Sequence, residues 1–352
     1  MAYNRAAWDR EVENSNEWTQ PVGPEAIARS RVGDWSVVLI GYQSVPRGWF
    51  PAELADVEVL CLASGGGQQG PVLSAAGAAV TVLDNSPRQL GRDREVATRE
   101  GLAVRTVLGD MRDLSVFPDA SFDVVFNPVS NVFCPDLAPV WRESFRVLRP
   151  GGILMAGFLN PDLFIFDITA LDERGELTVR HPLPFSTLDL PDAERERSYG
   201  TGPIEYSHSL AEQIGGQLAA GFTLTHLDEA PHHADATARY MPGSFATRAI
   251  KPRPGGCLSH PCPANCQRPR SVARWPVFAE TDRCYGQLQP RSARPGETGQ
   301  SCFAAARRLS IPAWLRSWVL ANETTRCGAV PAMIGTRRGE PRGAGTKTRR
   351  TW

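Results

Sequence analysis

The apolar run VEVLCLA at 57–63 stops at SGGGQQG, and no other feature restricts the fold as much. Gly65, Gly67 and Gly70 have the spacing G-x-G-x-x-G, directly after a β-branched run and before a short helix that Pro71 opens and Gly77 closes. The next run, AVTVLD at 79–84, ends in a carboxylate. A strand, a glycine turn, a helix and a second strand with an acidic end form a crossover unit. Such a unit makes the strands parallel and requires helices over the sheet.

The alternation continues downstream. Ser86 and Gln89 form a capping-box pair, with Pro87 at the first helical position and Gly101 past the end of that helix. AVRTVL (103–108) and FDVVF (122–126) read as strands three and four. Leu137, Trp141, Phe145 and Leu148 recur at helical spacing, and RPGG at 149–152 is expected to end that helix before the strand ILMAGF. Leu210, Ile214 and Leu218 define one face of a further helix, followed by FTLTHL and SFATRAI as an antiparallel edge. The fold class is α/β: a doubly wound, mostly parallel sheet with helices on both faces.

Two segments lie outside this alternation. Residues 1–50 contain Trp8, Trp18, Trp35 and Trp49 and read as a helical cap. Residues 160–209, inserted within the main domain at 51–252, are rich in proline and charge. Ligands of open α/β sheets bind at the carboxyl ends of the strands, so both segments are placed to roof a pocket.

Charge marks the boundary at the other end. The 352 residues have zero net charge, but 1–252 hold 21 basic against 33 acidic residues, and 253–352 hold 17 against 5. Six of the eight cysteines lie in that basic tail, which shows no sustained period and is expected to be disordered. Its abrupt loss of pattern also fits a read-through or out-of-frame extension rather than native sequence. Cys257, His260, Cys262 and Cys266 suggest a zinc knuckle, but their spacing matches no standard ligand pair, and no metal is expected. The start of the chain has no apolar leader core and no stretch reaches membrane-spanning length, so a cytoplasmic protein is expected.

Bare glycines let backbone N–H groups approach an anionic ligand, while Asp84 can accept both hydroxyls of a ribose. A tight strand-to-helix turn alone would also use them. If a ligand binds there, a nicotinamide dinucleotide and S-adenosylmethionine both fit. Asp110, just past strand three, can accept from an adenine amino group, and Met111 can pack on the ring. The chain has only two lysines, Lys251 and Lys347, and neither follows a tyrosine by four positions, which removes the Tyr-x-x-x-Lys dehydrogenase mechanism. An NAD(P)-dependent oxidoreductase of another type, or a non-catalytic nucleotide-binding protein, remains the alternative.

Together, VLCLASGGGQQG, VTVLDNSPRQL, LGDMRDLSVFPDASFDVVF and ESFRVLRPGGIL resemble the class I S-adenosylmethionine-dependent methyltransferases, especially the bacterial small-molecule type. The resemblance implies a Rossmann-like seven-stranded sheet with an antiparallel final strand. It also implies S-adenosylmethionine contacts from Ala63, Ser64, Gly65, Gly66, Gly67 and Gln68, from Asp84 with Asn85, from Asp110 with Met111, and from Asn127. Cys61 stands where the family usually has an acid, and Ala63 where it has a first glycine. NPVS at 127–130 departs from the Asn-Pro-Pro-aromatic signature of amine-methylating relatives at Val129 and Ser130, so an amine acceptor is not inferred.

Methyl transfer needs alignment and exclusion of water more than acid-base groups. Where a base is used, His208, His181 and Tyr206 are the catalytic candidates, with Glu205 beside Tyr206. Trp18 and Phe133 are candidates for contact with the sulfonium or a flat acceptor. The expected partner is a small-molecule acceptor. An acidic folded unit without a basic stripe argues against nucleic acid, although a basic tail would add salt-dependent affinity for it.

Overall fold

The computed structural model describes residues 2–231 and 236–254. Residues 255–352, and with them most of the expected disordered tail and all of the Cys257, His260, Cys262 and Cys266 cluster, lie outside the described residues.

The chain opens with helices α1 (Ala2–Glu13) and α2 (Pro24–Arg31), then a hairpin of β1 (Val38–Ile40) and β2 (Gln43–Ser44). The cap is thus helical only in its first part. The alternating region follows as β3 (Glu58–Leu62), α3 (Gln69–Ala75), β4 (Ala79–Asp84), α4 (Pro87–Glu100), β5 (Val104–Leu108), β6 (Phe122–Asn127), α5 (Ala138–Val147) and β7 (Leu148–Leu159). The insertion contributes α6 (Ile168–Arg174) and α7 (Asp192–Tyr199). The chain then returns through α8 (Gly216–Ala219), β8 (Thr223–Pro231) and β9 (Pro242–Ile250).

Seven strands form one sheet in the order β5-β4-β3-β6-β7-β9-β8. β3, β4, β5, β6 and β7 run parallel, and β9 pairs antiparallel with both β7 and β8. The period of two along each strand builds two cores. Val59 and Cys61 of β3 face the side covered by α2, α3, α4 and the hairpin, whereas Leu60 and Leu62 face α5 and Phe222. The strand order reverses between β3 and β6, which opens a crevice at their carboxyl ends. Among the described residues no helix is long and apolar enough to cross a membrane.

Local signals mostly act where the sequence puts them. Ser86 Oγ accepts from Gln89 N at 3.1 Å, and Gly101 caps α4 at φ 65°. RPGG does not separate helix from strand as expected. It lies inside β7 as an irregular start, where pairing with β6 shifts register and Gly151 sits at φ 89°.

The expected apolar face of Leu210, Ile214 and Leu218 is also corrected. Ala211–Gly215 forms a π turn, and its extra residue rotates the buried face onto Gln213 and Gln217, leaving Leu210 42% and Leu218 51% exposed. Gln213 accepts from Asn131 Nδ2 at 2.8 Å, and Gln217 accepts from Thr247 Oγ1 at 3.0 Å. Trp141 Nε1 donates to Glu212 O within the π turn at 2.9 Å, and a Cβ at Gly216 would strike the same indole.

Candidate active site

A cavity of about 470 Å³ opens over the carboxyl ends of β3, β4 and β6. On one side it meets Ala63, Ser64, Gly65 and Gln68 of the glycine loop, Asp84 with Asn85, and Met111. These are seven of the residues expected to hold a nucleotide-bearing ligand. On the other side lie Trp8 and Trp18, Val38 to Tyr42 of the hairpin, and Phe133. The N-terminal segment does roof the crevice.

The loop is braced from beneath by two buried carboxylates. Asp84 Oδ2 accepts from Gly65 N at 3.0 Å and Oδ1 from Ser86 N at 2.9 Å. Asp93, one turn along the inner face of α4 from Gln89, accepts from Gly66 N at 3.1 Å and also from the Gly67 amide. Burial pushes the Asp93 carboxyl up to about 8, helped by the neighbouring Asp84, while the loop amides pull the other way. The Asp84 carboxyl is likewise raised by burial and opposed by its amide bonds. Cys61, buried beside Asp93, has a thiol driven far up by desolvation and is inert.

This bracing changes the expected role of the glycines. The amides of Gly65, Gly66 and Gly67 are bound to the chain's own carboxylates, so they are not the donors that meet a ligand's anion. What the missing Cβ atoms permit is close packing. At Gly66 (φ 115°) a Cβ would lie 2.7 Å from Trp18 O, and at Gly67 (φ 73°) 2.8 Å from Arg92 O. Gly66 and Gly67 therefore seat the N-terminal segment and α4 and do not line the cavity. Gln68 Nε2 ties the same segment down through Glu17 O and Gln20 O.

Two further expected residues stand back from the cavity. Asp110 receives Arg112 through both carboxylate oxygens at 2.7–3.2 Å, which fixes the turn that presents Met111. Asn127 is fully buried: its Nδ2 donates to Leu62 O and Ser130 Oγ, and its Oδ1 has no hydrogen-bond partner among the described residues.

The three candidate bases do not line the cavity either. His208 is buried, with Nε2 2.6 Å from Cys134 O and Nδ1 3.7 Å from Glu212, so it bolts the start of the π turn to the loop behind the cavity wall. His181 packs on Phe185 at 4.5 Å, and burial lowers its pKa. Tyr206 pairs with Val132 through its backbone. The aromatic candidates fare otherwise: Trp18 stacks on Tyr42 at 5.5 Å, Phe133 meets Trp8 edge-on at 5.1 Å, and all four rings line the cavity.

The residues present fit S-adenosylmethionine. Asp84 keeps unused lone pairs beside Asn85 for two ribose hydroxyls, and Leu83 and Met111 offer an apolar wall to a purine. Gln89 lines the same cavity, and its Oε1, buried over Gly66, has no hydrogen-bond partner among the described residues. Asp93 and Gln89 were missed in the sequence. Their signal was a polar pair four residues apart on the helix face that also carries Leu90 and Val96.

Comparison with known proteins shows the family. Residues 60–156 match the model of a methyltransferase domain. The chain is 47% identical over 253 residues to the uncharacterized methyltransferase YbaJ of Bacillus subtilis, covering 71% of this chain and 98% of that protein. It is 39% identical over 188 residues to the sterol 24-C-methyltransferase erg6 of Aspergillus fumigatus, of whose length it spans 44%. Among solved structures, an S-adenosylmethionine-dependent methyltransferase from Mesorhizobium loti superposes with a TM-score of 0.45 at 20% identity, covering 58% of this chain and 94% of that one.

Proposed function

This chain belongs to the class I S-adenosylmethionine-dependent methyltransferases, and from that premise we propose that it methylates a small-molecule acceptor held under the N-terminal segment. The observation that carries the reading is the buried Asp84 carboxylate, fixed by two amides at the end of β4 and lining a cavity continuous with the aromatic wall. A dinucleotide reading is not favoured. No curated relative named above is an oxidoreductase, and the glycine-loop amides that a pyrophosphate would need are bound internally.

When bound, S-adenosylmethionine supplies a methyl carbon on a sulfonium, open to in-line displacement that leaves the bonding pair on sulfur. The chain's residues orient and enclose. Asp84 and Asn85 would hold the ribose, and Met111 and Leu83 would flank the purine. Ser64 and Gln69 are neutral donors for the carboxylate. Trp8, Trp18 and Phe133 exclude water from the reacting centre. Among the described residues no histidine lines the cavity, so an acceptor that needs deprotonation would give its proton to Glu17, Asp172 or solvent.

A cytoplasmic location belongs to this reading, since the donor is an intracellular metabolite. Titration calorimetry tests the whole. Wild-type protein should bind S-adenosylhomocysteine, and Asp84→Ala should weaken it roughly 10- to 100-fold, the worth of charged hydrogen bonds. Binding of NADH without S-adenosylhomocysteine would refute the reading.

A further inference from the structure

Beyond the residues that would hold the donor, three separate elements give the cavity an apolar wall: Leu39 and Ile40 of the hairpin, Val129 and Phe133 of the loop after β6, and Leu159 at the end of β7. Val129, Phe133 and Leu159 pack from behind on Val132, Phe164 and Phe185, so the insertion stiffens that wall. Ser244 of β9 stands opposite Leu159 in the antiparallel register, on the strand face of Ala246, which shares a core cluster with Leu39 and Ile40. Ser244 lines the cavity at 3% exposure, and its hydroxyl makes no hydrogen bond among the described residues. The hydroxyl of Ser130, which also lines the cavity, is by contrast engaged: it accepts from Asn127 Nδ2 at 2.8 Å and donates to Pro128 O at 3.0 Å. A buried hydroxyl without a partner costs free energy. A ligand that covered Ser244 with carbon alone would meet that cost, whereas one that brings an oxygen to it gains a hydrogen bond.

We propose that the acceptor is a largely apolar molecule carrying a hydroxyl or carbonyl oxygen, that its body lies against this wall, and that Ser244 reads the oxygen. This rests on the methyltransferase reading above and adds the class of molecule and the residue that selects it. The contact is one of recognition: no atom passes through it, and Ser244 determines specificity without acting as a base.

The test uses the full chain saturated with S-adenosylhomocysteine, titrated with naphthalene, 2-naphthol and 2-acetylnaphthalene and read by probe fluorescence. All three should bind, and at least one oxygenated probe should bind about three- to tenfold tighter than naphthalene, the worth of one hydrogen bond. In Ser244→Ala that advantage should shrink to about twofold or less, with naphthalene itself bound as well as before or better. Leu159→Ala should weaken all three probes alike, by about two- to fivefold, because it removes wall and leaves the hydroxyl in place. The proposal is overturned if no probe binds, if neither oxygenated probe exceeds naphthalene, or if Ser244→Ala keeps the full advantage, since the oxygen would then be read elsewhere. Unchanged binding of all three probes to Leu159→Ala overturns the placement of the body against this wall. Failure to bind S-adenosylhomocysteine at all would instead sink the methyltransferase reading, so the two failures are distinguishable.

Discussion

Asp93 has no exposure to solvent, yet among the described residues nothing cationic pairs with it and one of its oxygens has no hydrogen-bond partner; its ligands are loop amides. Replacing it with alanine removes the carboxylate acceptor of the Gly67 amide and leaves Gly66 N with Gln89 O alone, so Asp93→Ala should lose about 1–3 kcal/mol of stability. Because those amides shape the donor loop, its affinity for S-adenosylhomocysteine should fall about tenfold as well. Asp93→Asn keeps one carbonyl oxygen and should lose less of both, which denaturation and calorimetry on the pair will check. Glu205 is the second such group: buried in the insertion, with Oε2 lacking a hydrogen-bond partner among the described residues, its carboxyl is pushed by desolvation to about 8. The folded state therefore holds its proton over a range where the unfolded chain has released it. The stability this group contributes is fully present below the ordinary glutamate range and is lost as pH rises towards 8. Glu205→Gln should flatten that decline and be more stable than wild type by about 1–3 kcal/mol at pH 8.5, read by urea denaturation across pH.

The parallel strands, their crossover helices and the caps of α4 were legible because each depends on neighbours within one turn or one strand. The hairpin of β1 and β2 was not. Val38–Ile40 is three residues long, too short for a period, and its place is set by Gly157 of β7, where a methyl group would collide with the Leu39 carbonyl. Gly157→Ala should accordingly push the hairpin outward and weaken an apolar acceptor analogue about tenfold, with donor affinity changed less than threefold. Competition calorimetry separates the two. The misread apolar face before β8 has a similar cause. Periodicity at 3.6 residues cannot foresee a π turn, which here exists to let Trp141 reach Glu212 O and glutamines reach Asn131 and Thr247. The histidines were misassigned because sequence shows chemical capacity but not direction, and His208 points at Cys134 rather than into the cavity.

Across the whole molecule, the donor loop and the N-terminal segment form one mechanical unit: Gly66 and Gly67 lie under Trp18 to Val22, Val22 N donates to Gly67 O, and Gln68 holds Glu17 and Gln20. Donor binding should therefore slow amide exchange at 14–22 together with 63–69, and exchange measured with and without S-adenosylhomocysteine will show whether the two segments respond as one. Farther out, Asn4 closes the roof by donating to Phe133 O and Ile204 O and accepting from Ile204 N. Those partners lie 129 and 200 positions later. On a ribosome elongating at about 5–20 residues per second, α1 waits roughly 10–40 seconds after its own synthesis before Ile204 exists to receive it. The roof is made first and fastened last, because the hydrogen bonds of Asn4 need residues that emerge long after it.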